Sequence, residues 1–97
     1  MSVLARYNMS GKVALLSGAG RGIGAASALA LAEAGADIAV MARSVDQLEN
    51  VAAQARAMGR RSIVVPCDAN NAEDVSAAVQ RTIDELGRID TVISVVG

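Results

Sequence analysis

Residues 12 to 24 read Lys-Val-Ala-Leu-Leu-Ser-Gly-Ala-Gly-Arg-Gly-Ile-Gly, with glycine at every other position from Gly18 to Gly24. A short apolar run, Val13 to Leu16, precedes the glycines. Ala-Ala-Ser-Ala-Leu-Ala-Leu-Ala-Glu, a run of high helix propensity, follows them. The order is therefore buried strand, glycine loop, helix. A helix N-terminus carries unpaired N–H groups and a partial positive charge. A loop without Cβ atoms lets an anion approach those groups closely. Such a site suits the pyrophosphate of a dinucleotide. Glycines also mark ordinary turns, but here all three elements stand in the order a phosphate loop needs.

A second set of residues bears on which dinucleotide would fit. An NAD site usually places a carboxylate about 20 residues past the glycines, on the ribose 2′-hydroxyl. The second apolar run instead ends Met41-Ala42-Arg43, and Asp37 lies at its opposite end. The Arg43 guanidinium is a cation with a planar fork suited to a 2′-phosphate. Arg21, inside the glycine loop, can approach the same phosphate. The plain alternative is two solvated surface arginines. The expected cofactor is NADP, with NAD less favoured.

The elements that must position these groups are legible along the chain. Met1 to Ser10 lacks periodicity and reads as a loose arm. Strand one is Val13 to Ser17; helix one runs from Gly22 to Ala34, with Gly35 a natural stop. Strand two is Asp37 to Ala42. Ser44 and Gln47 form a capping box for helix two, whose buried face is expected at Leu48, Val51, Ala52, Ala55 and Met58, with Gly59 ending it. Strand three is Ser62 to Cys67, and Pro66 marks it as an edge. Asn71 is the expected cap of helix three, Ala72 to Leu86, with Val75, Val79, Thr82, Ile83 and Leu86 on one face. Gly87 ends that helix, and strand four runs from Thr91 to Val96. Continuous apolar strands alternating with helices predict an α/β fold, a doubly wound parallel sheet in three αβα layers, with strand order 3-2-1-4. The order reverses between strands one and four, and ligands bind at such a reversal, beyond the carboxyl ends of the strands.

Composition excludes several classes of function. Nine basic and ten acidic residues give a net charge of −1, which argues against nonspecific nucleic-acid binding. One cysteine, Cys67, allows no internal disulfide, and with no histidine a zinc site is not expected. Cys67 itself reads as a small buried apolar residue. A reducing, cytoplasmic setting is the default. No apolar run approaches the roughly 20 residues that span a bilayer, and no signal peptide is evident. With no Trp or Phe, the core must be built from Val, Ile, Leu, Met and many alanines.

The spacing Ser17-Gly18-x-x-x-Gly22-x-Gly24 resembles the short-chain dehydrogenase/reductase family, whose usual Thr is here Ser17. The resemblance covers about residues 11 to 97 and implies a Rossmann-type NAD(P)-binding domain, incomplete on its C-terminal side, after the arm of residues 1 to 10. It implies that Asp68 bonds the adenine amino group and that Ala69 lies against the ring. In NADP-preferring members, basic residues stand at the positions of Arg21 and Arg43. The stretch Arg88 to Ile93 fits the family, but Ser94-Val95-Val96-Gly97 stands where Asn-Asn-Ala-Gly is usual, so only the glycine matches. The expected cofactor contacts are Ser17, Gly18, Arg21, Gly22, Ile23 and Gly24 from the loop, Arg43 and Ser44, Asp68 and Ala69, and Val95 and Gly97.

The family moves a hydride between a nicotinamide cofactor and a carbonyl or alcohol, using a Ser and a Tyr-x-x-x-Lys that follow the fourth strand. Here Tyr7 and Lys12 are the only Tyr and Lys. They are five apart and lie at the sheet end remote from the cofactor, so no catalytic residue is expected in these 97. The chain reads as the N-terminal, cofactor-binding piece of an NADP(H)-dependent oxidoreductase. A noncatalytic dinucleotide-binding or interaction module is the competing reading. An S-adenosylmethionine methyltransferase is disfavoured, because that class wants an acid where Ala42-Arg43 stands. The open apolar edge of strand four predicts a homo-oligomer or poor solubility.

Overall fold

Apolar strands separated by glycine-stopped helices arrange themselves into one parallel sheet. The computed structural model describes residues 9–18 and 22–94. The elements are β1 (Val13–Ser17), α1 (Gly22–Glu33), β2 (Asp37–Ala42), α2 (Val45–Ala57), β3 (Ser62–Pro66), α3 (Ala72–Leu86) and β4 (Thr91–Ser94). All strand pairs are parallel and the order is β3-β2-β1-β4, as the alternation predicted. Pro66 does end an edge strand, where its missing N–H removes no ladder bond. β4 takes up the first four residues of the strand expected from Thr91 to Val96, and 95 and 96 lie outside the described residues.

Alternation along the strands splits the core in two. Ala14, Leu16, Ile38, Val40 and Val64 meet α1 and α2 through Ala28, Leu31, Ala32, Leu48, Val51, Ala52 and Ala55. Val13, Leu15, Ala39, Met41 and Val65 meet α3 through Ala78 and Leu86 on the opposite face. The alanines matter here: Ala28, Ala32, Ala52 and Ala55 are fully buried, and their short side chains let the helices lie close to the sheet. This is a Rossmann-like α/β architecture with helices on both faces.

Four expectations about faces and ends are corrected. Met58 and Ile83 are each 41% exposed rather than buried. Met58 is the C-cap of α2, past its last packed turn. In α3 the buried line is Ala78, Thr82 and Leu86, spaced by four, so Ile83 is rotated about 100° off it. The arm is not loose throughout: Met9 packs against the core and its N–H donates to the Ala34 carbonyl at 2.8 Å. Helix α1 stops at Glu33, one residue earlier than expected.

Neither α1 nor α3 has a basic residue in its last turn. Two arginines from the α2–β3 turn supply the missing charge. Arg60 donates through Nε to the Ala32 carbonyl at 2.8 Å, and Arg61 through Nη2 to the Leu86 carbonyl at 3.1 Å. Each thus answers the partial negative charge of a helix end. Arg61 also pairs with Asp37 at 2.9 Å, anchoring the start of β3 to the start of β2. At the start of β4, Asp90 accepts the Val13 N–H at 2.9 Å and the Arg88 guanidinium at 2.6 Å. The Val13 hydrogen bond, opposed by burial and aided by Arg88 and Lys12, holds the Asp90 carboxyl below its ordinary range. The stability it lends is therefore complete above the ordinary carboxylate pKa and fades as pH falls through the lowered one.

Buried hydroxyls are treated unequally. Thr82 donates to the Ala78 carbonyl at 2.8 Å, whereas the buried Ser62 Oγ has no hydrogen-bond partner among the described residues. Ser62→Ala removes a desolvated, unpaired group and leaves little void. We expect stability unchanged or raised by up to about 1 kcal/mol, read from urea unfolding. A loss larger than that would show that Ser62 Oγ is bonded in solution.

Candidate nucleotide site

Because every strand runs the same way, the C-terminal ends of β1, β2, β3 and β4 share one rim. The register aligns Ser17 with Met41 on one side and Ser94 on the other, and Ala42 with Pro66. The Gly18 N–H donates to the Met41 carbonyl at 2.9 Å, extending the ladder one residue beyond β1. That bond holds Gly18 at the rim beside β2. No side chain is involved, so no residue type in the sequence announces Met41's part.

Gly18 and Gly22 have φ of +74° and +60°, in the left-handed region where glycine is least strained. Among the described residues a Cβ built on Gly22 would meet no atom within 4 Å, so the space beside this backbone is open to them. Gly22 opens α1, Gly24 is buried, and Ile23 between them is 77% exposed. The first turn of α1 holds no acidic side chain, whereas α2 has Asp46 there and α3 has Glu73 and Asp74. Open space, left-handed glycines and an uncompensated helix start fit a diphosphate group. Arg21 lies outside the described residues, as do Val95 and Gly97.

Arg43 follows β2 on the same rim and is exposed. Among the described residues its guanidinium makes no hydrogen bond or ion pair. The other described arginines are all engaged: Arg56 with the Ser62 carbonyl, Arg60 with Ala32, Arg61 with Asp37, Arg81 with the Val64 carbonyl and Glu85, and Arg88 with Asp90. Ser44 is the N-cap of α2, as expected, but its side chain makes no capping bond. The expected capping box with Gln47 is therefore not formed. The first turn is loosely closed, with Leu48 N–H to Ser44 carbonyl at 3.4 Å, so the geometry of a full cap is not reached. Asn71 shows the contrast: its Oδ1 accepts from Glu73 and Asp74 N–H at 3.0 and 3.1 Å.

Asp68 stands beyond β3 on this rim and is half-buried. Its Oδ1 accepts the Asn70 N–H at 2.9 Å, and its own N–H donates to Asp74 Oδ2 at 3.1 Å. The loop is thus braced by its own polar groups, and among the described residues Oδ2 of Asp68 makes no hydrogen bond. Ala69 beside it is exposed. The role of Asp74 was not anticipated; an Asp six residues beyond another gives no signal until α3 folds back. Cys67 is buried and free, with its N–H on the Ala42 carbonyl at 3.1 Å. Burial first, then Asp74 and Asp68, push its thiol pKa up, so it stays protonated and unreactive at neutral pH. Among the described residues no group of three or more His, Cys, Asp or Glu could hold a metal ion, and no helix is long and apolar enough to cross a membrane.

Comparison with known proteins places this geometry. The family model described as short chain dehydrogenase matches residues 12–97. An uncharacterized oxidoreductase of Mycobacterium tuberculosis is 39% identical over 95 residues, which cover 98% of this chain and 36% of the relative. Carveol dehydrogenase of Mycobacterium avium, solved in complex with NAD, superposes with a TM-score of 0.89 at 29% identity, covering 94% of this chain and 37% of that one. A metagenomic short-chain oxidoreductase solved with NADP gives a TM-score of 0.80 at 35% identity, covering 86% and 38%. The chain spans about a third of the length of the curated relatives it matches.

Proposed function

The chain belongs to the short-chain dehydrogenase family, and on that premise we propose that it is the cofactor-binding portion of an NADP(H)-dependent oxidoreductase. The observation that carries the cofactor choice is Arg43: exposed, on the rim, and the described arginine that no other described group engages. Backbone N–H groups from Gly18 and Gly22 through Gly24 would hold the diphosphate, with Ser17 beneath them and Ile23 alongside. Arg43, with Arg21 and the uncommitted Ser44 hydroxyl, would hold the 2′-phosphate. Asp68 and Ala69 would border the adenine, and Val95 and Gly97 the nicotinamide side. When bound, the nicotinamide supplies or accepts a hydride for a carbonyl or alcohol substrate. The 97 residues contain no Tyr-x-x-x-Lys, so this segment is expected to bind without turning substrate over. A noncatalytic dinucleotide-binding or interaction module is the second reading. Self-association and a cytoplasmic setting complete the reading.

Calorimetric titration with NADP+ and NAD+ tests it. NADP+ should bind more tightly. Arg43→Ala should weaken NADP+ by about 10- to 150-fold, the equivalent of about 1.5–3 kcal/mol for a charged hydrogen bond. NAD+ affinity should stay within about twofold, because that molecule has nothing for Arg43 to hold. Equal affinities, or indifference of NADP+ to Arg43→Ala, would remove the assignment.

A further inference from the structure

Strand β3 turns the backbone groups of alternate residues to its two sides. The Arg61 carbonyl accepts the Ile38 N–H, and the Cys67 N–H donates to the Ala42 carbonyl. In this parallel ladder Arg61, Ile63, Val65 and Cys67 therefore face β2, and Ser62, Val64 and Pro66 face away from it. Ile63, Val64 and Val65 are all β-branched and apolar, the residue type that pairs most readily with another strand. Backbone groups pointing outward from such a run are a template for strand addition.

Side chains occupy that outward side. Arg56, in the last turn of α2, donates Nη2 and Nε to the Ser62 carbonyl at 2.8 and 3.2 Å. Arg81, in α3, donates Nη1 to the Val64 carbonyl at 3.0 Å. The third outward residue, Pro66, has no N–H to offer. Helix α2 packs on one face of the sheet and α3 on the other, so the two guanidinium groups reach the edge from opposite sides. Each is paired with a carboxylate of its own helix, Arg56 with Glu49 at 3.8 Å and Arg81 with Glu85. An added strand would need its N–H groups at these two carbonyls, and a guanidinium already stands at each.

We infer that Arg56 and Arg81 close the β3 edge against a second copy of this chain, and that without them the edge becomes a docking surface for the β3 strand of that copy. The edge is self-complementary. With two β3 strands set antiparallel about a twofold axis at Ile63, Ser62 of either copy would exchange both backbone hydrogen bonds with Val64 of the other. All the outward donors and acceptors of both residues would then be used. The inference concerns this edge alone and does not rest on the dinucleotide reading.

The test uses the full chain carrying Arg56→Met and Arg81→Met together, which keeps two apolar stems and removes the donors. The pair also takes two positive charges from a chain of net charge −1, which strengthens self-repulsion, so any association gained is gained against charge. Val51→Ala loosens the α2 core without touching the edge and controls for general destabilisation. Hydrogen exchange is followed amide by amide at two protein concentrations about a hundredfold apart, where circular dichroism shows each variant folded. In the double variant the Ser62 and Val64 amides should slow at least about tenfold at the higher concentration, because those N–H groups gain partners when a strand lies beside them. In the parent and in Val51→Ala the same amides should not respond to concentration. Where the double variant does not fold, Arg81→Met alone frees the Val64 carbonyl and should show the same slowing at smaller size. Ser62 and Val64 amides indifferent to concentration in the folded variant would overturn the inference, even if other amides became protected. Equal slowing at those two amides in the parent or in Val51→Ala would overturn it as well.

Discussion

Gly22→Ala is expected to give a chain that folds and no longer holds a dinucleotide. The two halves of that expectation have separate causes. Among the described residues no atom lies within 4 Å of the added Cβ, so nothing in the described fold must move. The backbone at φ +60° does charge a non-glycine residue about 1–2 kcal/mol. A domain of this size carries about 5–15 kcal/mol in all, so it remains folded, with Tm lowered by about 4–16 °C. The open space that spares the fold is the space the diphosphate would occupy. A methyl group there holds the phosphate off the N–H groups of α1, and each tenfold loss corresponds to about 1.4 kcal/mol. We expect at least two such steps, a hundredfold, for NADP+ and NAD+ alike, since both carry the same diphosphate. Calorimetry on the folded variant provides the measurement. Retention of binding within threefold would move the phosphate site off this loop.

Gly35→Ala should act on the fold instead, and strongly. Gly35 follows α1 with φ +112°, a conformation that side chains rarely adopt, at a cost of about 1–3 kcal/mol. Its Cβ would also stand 2.9 Å from both the backbone nitrogen and Oγ of Ser10. The backbone atom cannot swing aside cheaply, because the neighbouring Met9 is tied to the Ala34 carbonyl and packs on the core. Strain and collision therefore add. We expect a loss of at least about 2 kcal/mol, or a Tm drop of about 8–16 °C in a domain of this length. Thermal unfolding by circular dichroism reads it. An unchanged Tm would mean that residues 9 and 10 do not lie against α1 in solution. The pair of substitutions is informative because the chemistry is the same, one methyl on a left-handed glycine, while the consequence follows what surrounds it.

The rim that carries the candidate site was legible from residue types and spacing. Ser17, Gly18, Gly22 and Gly24 announced the loop, and the parallel sheet brought Arg43 and Asp68 to the same rim. The lapses are equally specific. Ser44 and Gln47 have the residues of a capping box without its hydrogen bond, since a pattern states what side chains can do and not whether the first turn closes well enough. Ile83 has the right period and the wrong angle, because α3 meets the sheet through Ala78, Thr82 and Leu86 with Val75 and Val79 partly buried beside them, and Ile83 falls outside that face.

The sequence by itself determined the order of elements, the two faces of each strand and the positions that demand glycine. Those depend on residues a few places apart, within reach of propensity, period and backbone sterics. Only the tertiary structure decided which charges are spent. Arg60 reaches Ala32 across 28 positions and Arg61 reaches Leu86 across 25, each serving a helix end that lacks its own base. Nothing in their local sequence distinguishes them from Arg43. What separates them is the path of the chain, which lays carbonyls and carboxylates beside every other described arginine and leaves Arg43 facing solvent at the rim.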